Sequence, residues 1–205
     1  MKSFGKKLLS HLWAYLTCII VVTALWNWAF SFRTNIKDSE KVSIFIGSYS
    51  DSFAGEETLN QKRPSYLKKV EVKPYRLDVP SFSTILSVHG YETADILILP
   101  LSYLSGDSLA LTYAPISSSY QEIFRSRYAV SSFLEQDNNA YGIKIHDYQT
   151  HSSLISDLLY GEAEQEEDYY LLYNRKSLHL GDLSDPEKKE DPKGDFLVTE
   201  ELFSL

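Results

Sequence analysis

The chain has 205 residues, of which 43% are hydrophobic, and this length allows one domain plus an appendage. Residues 1–32 contain three lysines and no acid, so residues 33–205 hold the other 17 basic side chains and all 28 acidic ones. Such an acidic surface repels phosphate backbones, which argues against nucleic-acid binding. The only cysteine is Cys18, so a disulfide framework is excluded.

Residues 8–32 carry no charge and are long enough to cross a membrane. At about 1.5 Å per residue, a helix of this length exceeds the hydrocarbon core of about 30 Å. Aromatic side chains, which favour the headgroup zones, lie near both ends: Trp13, Tyr15, Trp26, Trp28, Phe30 and Phe32. Residues 26–32 are too bulky for a signal-peptidase site, and a domain of this size needs no core helix so long. We therefore predict an uncleaved transmembrane anchor.

The basic flank of this segment predicts its orientation. Lys2, Lys6 and Lys7 form a short tail that is easily retained in the cytoplasm. The bases on the other side are mixed with acids in a polar tether, residues 33–41. We expect residues 1–7 inside a bacterial cell membrane, residues 8–32 across it, and residues 42–205 outside as one domain.

The outer part alternates strand and helix patterns. The predicted strands are Val42–Ile46, Val70–Leu77, Ala94–Pro100, Tyr141–His146 and Asp168–Asn174. Three helices are predicted: one that ends near Lys69, one over Phe82–His89 that stops at Gly90, and one over residues 196–203. These spacings predict parallel pairing and a three-layer α/β domain. Two acidic stretches, residues 162–168 and 182–195, are typical of solvated loops.

The order of these pieces resembles the first lobe of bacterial extracellular solute-binding proteins, the membrane-tethered receptors of sugar-type ABC transporters. The matching pieces are the first strand, Val42–Ile46, the strand with an early aspartate, Ala94-Asp95-Ile-Leu-Ile-Leu-Pro100, and the segment Leu111-Thr-Tyr-Ala-Pro115-Ile116. Tyr141-Gly142-Ile143 follows, with Lys144 at the family's proline position, and Tyr170-Leu-Leu-Tyr173-Asn174-Arg175 matches the crossing strand. The resemblance covers roughly residues 42–180.

The resemblance implies a single lobe of a periplasmic-binding-protein fold, because the sequence ends where the second lobe would begin. It also implies a sugar or similar polar solute as ligand, and an ABC transporter permease as a partner. A second hypothesis is a non-enzymatic interaction protein that docks onto a transporter or another envelope complex without binding solute.

Catalytic and metal-binding motifs are weak. The sequence has no nucleophile elbow, no phosphate-binding glycine loop and no zinc-protease motif, so we expect neither an enzyme nor a cofactor. His146, Asp147, His151 and His179 are the best metal candidates. Because His146 and Asp147 point to opposite faces of a strand, surface histidines are favoured over a metal site.

Ligands of α/β sheets bind at the carboxyl ends of the strands. This rule nominates residues after or beside the predicted strands: Ser48, Tyr49, Asp51, Ser102, Tyr103, Tyr141, Asp147 and Asn174. Tyrosines beside carboxylates suit sugars, since rings stack on C–H faces and carboxylates accept hydroxyl hydrogens. The alternative is that the tyrosines, 15 in the chain, cover the sheet with an apolar body and a wet tip.

Overall fold

A computed structural model describes residues 2–34, 36–50, 53–104, 109–155, 167–181 and 194–205. The chain divides into two compact units, residues 1–37 and residues 38–205. The predicted acidic loops lie largely outside the described residues, as does Asp51.

The first unit is one long helix, α1, Lys2–Thr34. Its window His11–Trp28 has a mean hydropathy of 1.3, and none of that window is buried. By length and composition the helix is sufficient to cross a membrane. The same properties suit a secretion signal, so anchoring and orientation stay predictions.

The second unit is a mixed α/β domain around one sheet. Its strands are β1 Lys41–Ser48, β2 Lys69–Arg76, β3 Ile96–Pro100, β4 Phe133–Gln136, β5 Asn139–Asp147, β6 Ser152–Ser153 and β7 Tyr169–Tyr173. Its helices are α2 Glu56–Lys62, α3 Phe82–Ile85, α4 Leu109–Thr112, α5 Ser118–Tyr128 and α6 Gly194–Leu202, and α3 continues as a π-helical turn, Leu86–Tyr91. Each predicted strand lies within two residues of an observed one.

The sheet combines parallel and antiparallel pairs. Its strand order is β2-β1-β3-β7-β5-β4, with β6 paired to β5. The predicted parallel pairing is found for β1 with β2 and for β1 with β3. It is wrong for β7, which runs antiparallel to both β3 and β5. A buried apolar run predicts a strand but carries no information on its direction.

Two local structures were not predicted. β4 and β5 form a hairpin whose turn residues, Asp137 and Asn138, both have positive φ, as a type I′ turn requires. The second is the start of α5, where the Ser117 side chain caps the helix by accepting from the Tyr120 N–H.

The central strands are buried on both faces. All described residues of β3 and β7, and all of β1 after Lys41, are buried. A three-layer arrangement requires such two-sided cover. On one flank, Phe124 of α5 packs against Phe196 and Phe203 of the C-terminal segment, with ring centroids 5.5 and 5.8 Å apart.

Candidate functional site

Strand direction divides the predicted site residues between two edges of the sheet. β1, β3 and β5 point the same way, so Ser48, Pro100 and Asp147 lie at one edge, here called the carboxyl edge. The opposite margin, where these strands begin, is the amino edge. Because β7 is reversed, Tyr169 pairs with Pro100 at the carboxyl edge and Tyr173 pairs with Ile96 near the amino edge.

A three-residue ion cluster lies at the carboxyl edge. The Lys144 Nζ donates to Asp147 Oδ2 at 2.7 Å and lies 2.8 Å from Asp168 Oδ2, and all three side chains are less than one-fifth exposed. The hydrogen bond from Lys144, helped by the Thr150 and Gln149 N–H groups, lowers the pKa of Asp147 to about 2. Burial alone would lower the pKa of Lys144, but its bonds to the two carboxylates raise it. We expect Lys144 and Asp147 to be charged at neutral pH.

The cluster borders a small cavity of about 220 Å³. Its polar lining includes Lys144, His146, Asp147, Ser152 and Ser153. His146 is 3% exposed and its ring lies edge-on to that of Tyr169. Burial lowers the pKa of His146, so a neutral imidazole is favoured. These groups offer both donors and acceptors to a polar ligand.

The other predicted residues of the carboxyl edge make separate contacts and do not join the ion cluster. Ser48 is buried, and its hydroxyl donates to the Ser50 carbonyl while accepting from the Ser50 N–H. Tyr49 is 38% exposed. Ser102 is exposed and donates to Glu167 through both its N–H and its hydroxyl, while Tyr103 packs edge-on against Phe82.

Asn174 was expected at the carboxyl edge, and the structure places it at the amino edge because β7 is antiparallel. The side chain is 2% exposed. Its Nδ2 donates to the carbonyls of Ala94 at 2.7 Å and Tyr91 at 3.1 Å, and its Oδ1 accepts from the Lys176 N–H. These bonds give it a structural role. Tyr141, the third residue of β5, is also buried toward the amino edge.

The candidate metal residues do not converge. His146 and Asp147 lie at the carboxyl end of β5, whereas the Nε2 of His179 lies 2.9 Å from the carbonyl of Asp38, just before β1 begins. No group of three histidine, cysteine, aspartate or glutamate side chains suited to a metal ion occurs among the described residues. His146 and His179 are also buried, so the expectation of surface histidines is wrong for these two.

Sequence reasoning missed Lys144 and Asp168 as members of the site. Lys144 stood out only as a departure from a family proline, and Asp168 was assigned to an acidic stretch and a strand start. The alternation of polar and apolar residues along a strand predicts which face of the sheet a side chain takes. It does not predict an ion pair between Lys144 and Asp168, which are 24 residues apart in sequence.

Two larger cavities lie away from the carboxyl edge. One of about 610 Å³ is lined by Pro115, Ser117, Gln121, Asn139 and Arg175, among others. Another of about 420 Å³ lies at the amino edge, and its lining includes Asp38, Lys41, Asp95, Asn174 and Ser177.

Comparison with known proteins leaves the family open. No family model and no curated protein matches the chain. Among solved structures, it is similar to the galacto-N-biose/lacto-N-biose I-binding protein of the ABC transporter from Bifidobacterium longum in complex with lacto-N-biose, with 14% identity and a TM-score of 0.37. The match covers 54% of this chain and spans only 30% of that protein's length.

Proposed function

We propose that the chain is a membrane-anchored, non-enzymatic binding domain that takes a small polar solute, a sugar above all, at its carboxyl edge. The domain would lie outside a bacterial cell membrane and serve an ABC transporter as an accessory. The observation that carries the proposal is the convergence of Lys144, Asp147 and Asp168 beside a cavity at that edge.

The chemistry of the edge suits a sugar. Each carboxylate oxygen can accept more than one hydrogen bond, so Asp147 and Asp168 retain capacity for ligand hydroxyls beside Lys144. Tyr148, which follows Asp147, is 42% exposed and offers a ring for stacking. The described residues thus combine charged acceptors with an aromatic surface.

A thermal-shift screen of the full chain tests the proposal. The chain would be held in a zwitterionic detergent, because sugar-headed detergents would compete, and screened against mono- and oligosaccharides, amino acids and divalent metals. A solute at 100 times its Kd adds about 2.7 kcal/mol and should raise the melting midpoint by several degrees. Tyr148→Ala should abolish that shift. Leu111→Ala, which truncates a side chain 79% exposed elsewhere on the domain, should preserve it.

A docking function is the second candidate, and a specific observation favours it. Much of the polar surface at the carboxyl edge is already bonded within the domain: Lys144 to two carboxylates, Ser102 to Glu167, and Ser48 to Ser50. This candidate predicts co-purification of permease subunits at fixed stoichiometry and no thermal shift with any solute. A monomer without permease, together with a dose-dependent sugar shift, would eliminate it.

A further inference from the structure

Three lysines lie close together on β1 and β2, on the side of the amino edge. Lys69 and Lys73 alternate with Glu71 along β2, so their side chains share one face of the sheet. Lys41, the first residue of β1, pairs directly with Lys69. The three lysines are here called the lysine cluster. Because like charges opposite each other destabilise a sheet, this arrangement needs an anion among the lysines.

Glu71 supplies one negative charge to the lysine cluster. Its Oε1 lies 3.1 Å from the Lys69 Nζ, and its Oε2 lies 2.9 Å from the Lys73 Nζ and 3.8 Å from the Lys41 Nζ. Burial would raise the pKa of Glu71, but the hydrogen bonds from Lys73 and Lys69 lower it, so the carboxylate is favoured. One carboxylate thus contacts three ammonium groups.

The ammonium group of Lys41 makes no hydrogen bond to another described residue. Its Nζ lies 3.6 Å from Asp38 Oδ1 and 3.8 Å from Glu71 Oε2, and both separations are longer than a hydrogen bond. The Asp38 side chain is 85% exposed, so water weakens that ion pair, whereas the Lys41 side chain is only 28% exposed. An ammonium group has three hydrogens to donate, and Lys41 therefore retains donors for a ligand.

Two members of the lysine cluster face a cavity. Lys41 and Lys73 line the amino-edge cavity of about 420 Å³, and Glu71 is not among its described lining residues. His89 also lines the cavity, and its ring stacks on that of Tyr75 with centroids 5.8 Å apart. Because Lys41 and Lys73 both approach Glu71 Oε2, a single small anion in the cavity can reach both ammonium groups.

Two of the three acids that line this cavity have partners outside the lysine cluster. Asp95 accepts from the Ser43 N–H and from the Ser177 hydroxyl, each at 2.7 Å. Glu92 pairs with Lys176 at 2.8 Å, and both side chains are well exposed. The remaining acid is the exposed aspartate already described. Within the described residues, the three ammonium groups are thus contacted by two carboxylates, one of them highly exposed.

We propose that the amino-edge cavity binds a phosphate monoester group, with Lys41 and Lys73 as its principal contacts. Such a group carries a charge of about −1.5 to −2 at pH 7 and has three strong acceptor oxygens. Lysine binds phosphate as a point charge, and a dianion can serve two ammonium groups at once. The same chemistry is offered by a phospholipid headgroup and by a soluble phosphate ester, and the experiments below separate these sources.

Isothermal titration calorimetry of the full chain tests the site with inorganic phosphate as the probe. The chain would be held in an amine-oxide detergent and a Tris–chloride buffer at pH 7, because neither contains a phosphate or sulfonate group. We expect saturable binding of one phosphate per chain, which sodium chloride of the same ionic strength does not reproduce. If no saturable binding occurs up to about 10 mM phosphate, the proposal is wrong.

Lys41→Met keeps the apolar stem and removes the ammonium group. We expect at least about a tenfold loss of phosphate affinity, the size expected for a lost charge-assisted hydrogen bond. Lys73→Met should also weaken binding, which keeps the test decisive if Lys41→Met does not fold. The matched control is Lys68→Met, since Lys68 pairs with Glu40 at the same edge, at 2.9 Å, and does not line the cavity. Equal losses in the control and in the cluster variants would show general charge attraction only and overturn the site.

Glu71→Gln gives an effect of opposite sign. The substitution removes the carboxylate that competes with phosphate for Lys41 and Lys73, so we expect phosphate to bind several-fold more tightly than in the wild type. A purely structural role of Glu71 predicts no gain in affinity. An affinity at or below that of the wild type, measured on folded protein, would contradict the proposed contacts.

Two phosphate monoesters separate the sources. Glycerol 3-phosphate is soluble, and dihexanoyl phosphatidic acid carries the same group with two short acyl chains. Equal affinities, both weakened in Lys41→Met, indicate a soluble phosphate ester. Tighter binding of the lipid, again weakened in Lys41→Met, indicates a lipid headgroup, and lipid binding that Lys41→Met leaves unchanged contradicts the site. A failed sugar screen does not affect this result, because the two sites lie at opposite edges of the sheet.

Discussion

At the carboxyl edge, Asp147 and Asp168 share the ammonium group of Lys144, whereas Asp195, in the first turn of α6, is fully buried with no ion pair among the described contacts. The hydrogen bond from Lys144 lowers the pKa of Asp147, whereas burial raises the pKa of Asp195. One domain thus sets aspartate pKa values in opposite directions, and the deciding factor is whether the fold brings a cation to the carboxylates. The following changes test that contrast.

The largest loss of stability is expected for Asn174→Ala, which removes the amide that donates to backbone carbonyls at the amino edge. The variant loses the bonds to the Ala94 and Tyr91 carbonyls, and the first of these lies in a buried site where no water replaces the lost amide donor. We expect a loss of about 3 kcal/mol in the free energy of unfolding, measured by urea titration. Asn139→Ala, which removes an exposed amide, should change stability by less than about 0.5 kcal/mol. A small effect of Asn174→Ala would reopen its predicted role in ligand contact.

A smaller effect is expected for Lys144→Met, which keeps the apolar stem and removes the charge. Asp147 and Asp168 would then repel each other, and we expect a loss of about 1 kcal/mol, between the values for exposed and buried ion pairs. The matched control is Lys176→Met, whose pair with Glu92 has the same 2.8 Å separation but is 62% exposed on both sides. Equal losses in both variants would show that burial of the cluster contributes nothing.

The smallest effect is the pH dependence at Asp147. Because its folded pKa, about 2, lies below that of an unfolded aspartate, Asp147 stabilises the fold above about pH 4, and this contribution disappears as pH falls toward 2. Asp147→Asn should therefore unfold more easily than the wild type at pH 6 and match it near pH 2 in urea titrations. A stability advantage of the wild type over Asp147→Asn that grows as pH falls would contradict the assignment, because that trend is expected of an acid whose pKa is raised by folding.

The sequence was sufficient for five of the seven strands among the described residues, but not for their directions or for the site. The apolar runs at Val42–Ile46 and Ala94–Pro100 predicted buried strands because burial on both faces leaves a continuous hydrophobic run. The direction of β7 depends on which neighbours it joins, and no local pattern records that choice. Asn174 was therefore assigned to the wrong edge.

Asp195 shows a related limit. Asp195 is the last residue of the acidic stretch 182–195, and the polarity of that whole stretch predicted a solvent-exposed loop. Its burial follows from the docking of α6 through Phe196, Val198 and Leu202, which are all buried. Asp195 is thus buried because the apolar helix that it begins packs against the domain, and the local sequence does not predict that packing.

The tryptophans divide between the two units in a way that has a spectroscopic consequence. All three of them, Trp13, Trp26 and Trp28, lie in α1, and the domain that follows has only tyrosine and phenylalanine. Selectively excited indole emission from the intact chain therefore reports on the helix alone. Trp13 and Trp28 are about 22 Å apart along its axis, so lipid-borne quenchers at graded depths would locate each end of the helix in a bilayer without interference from the domain.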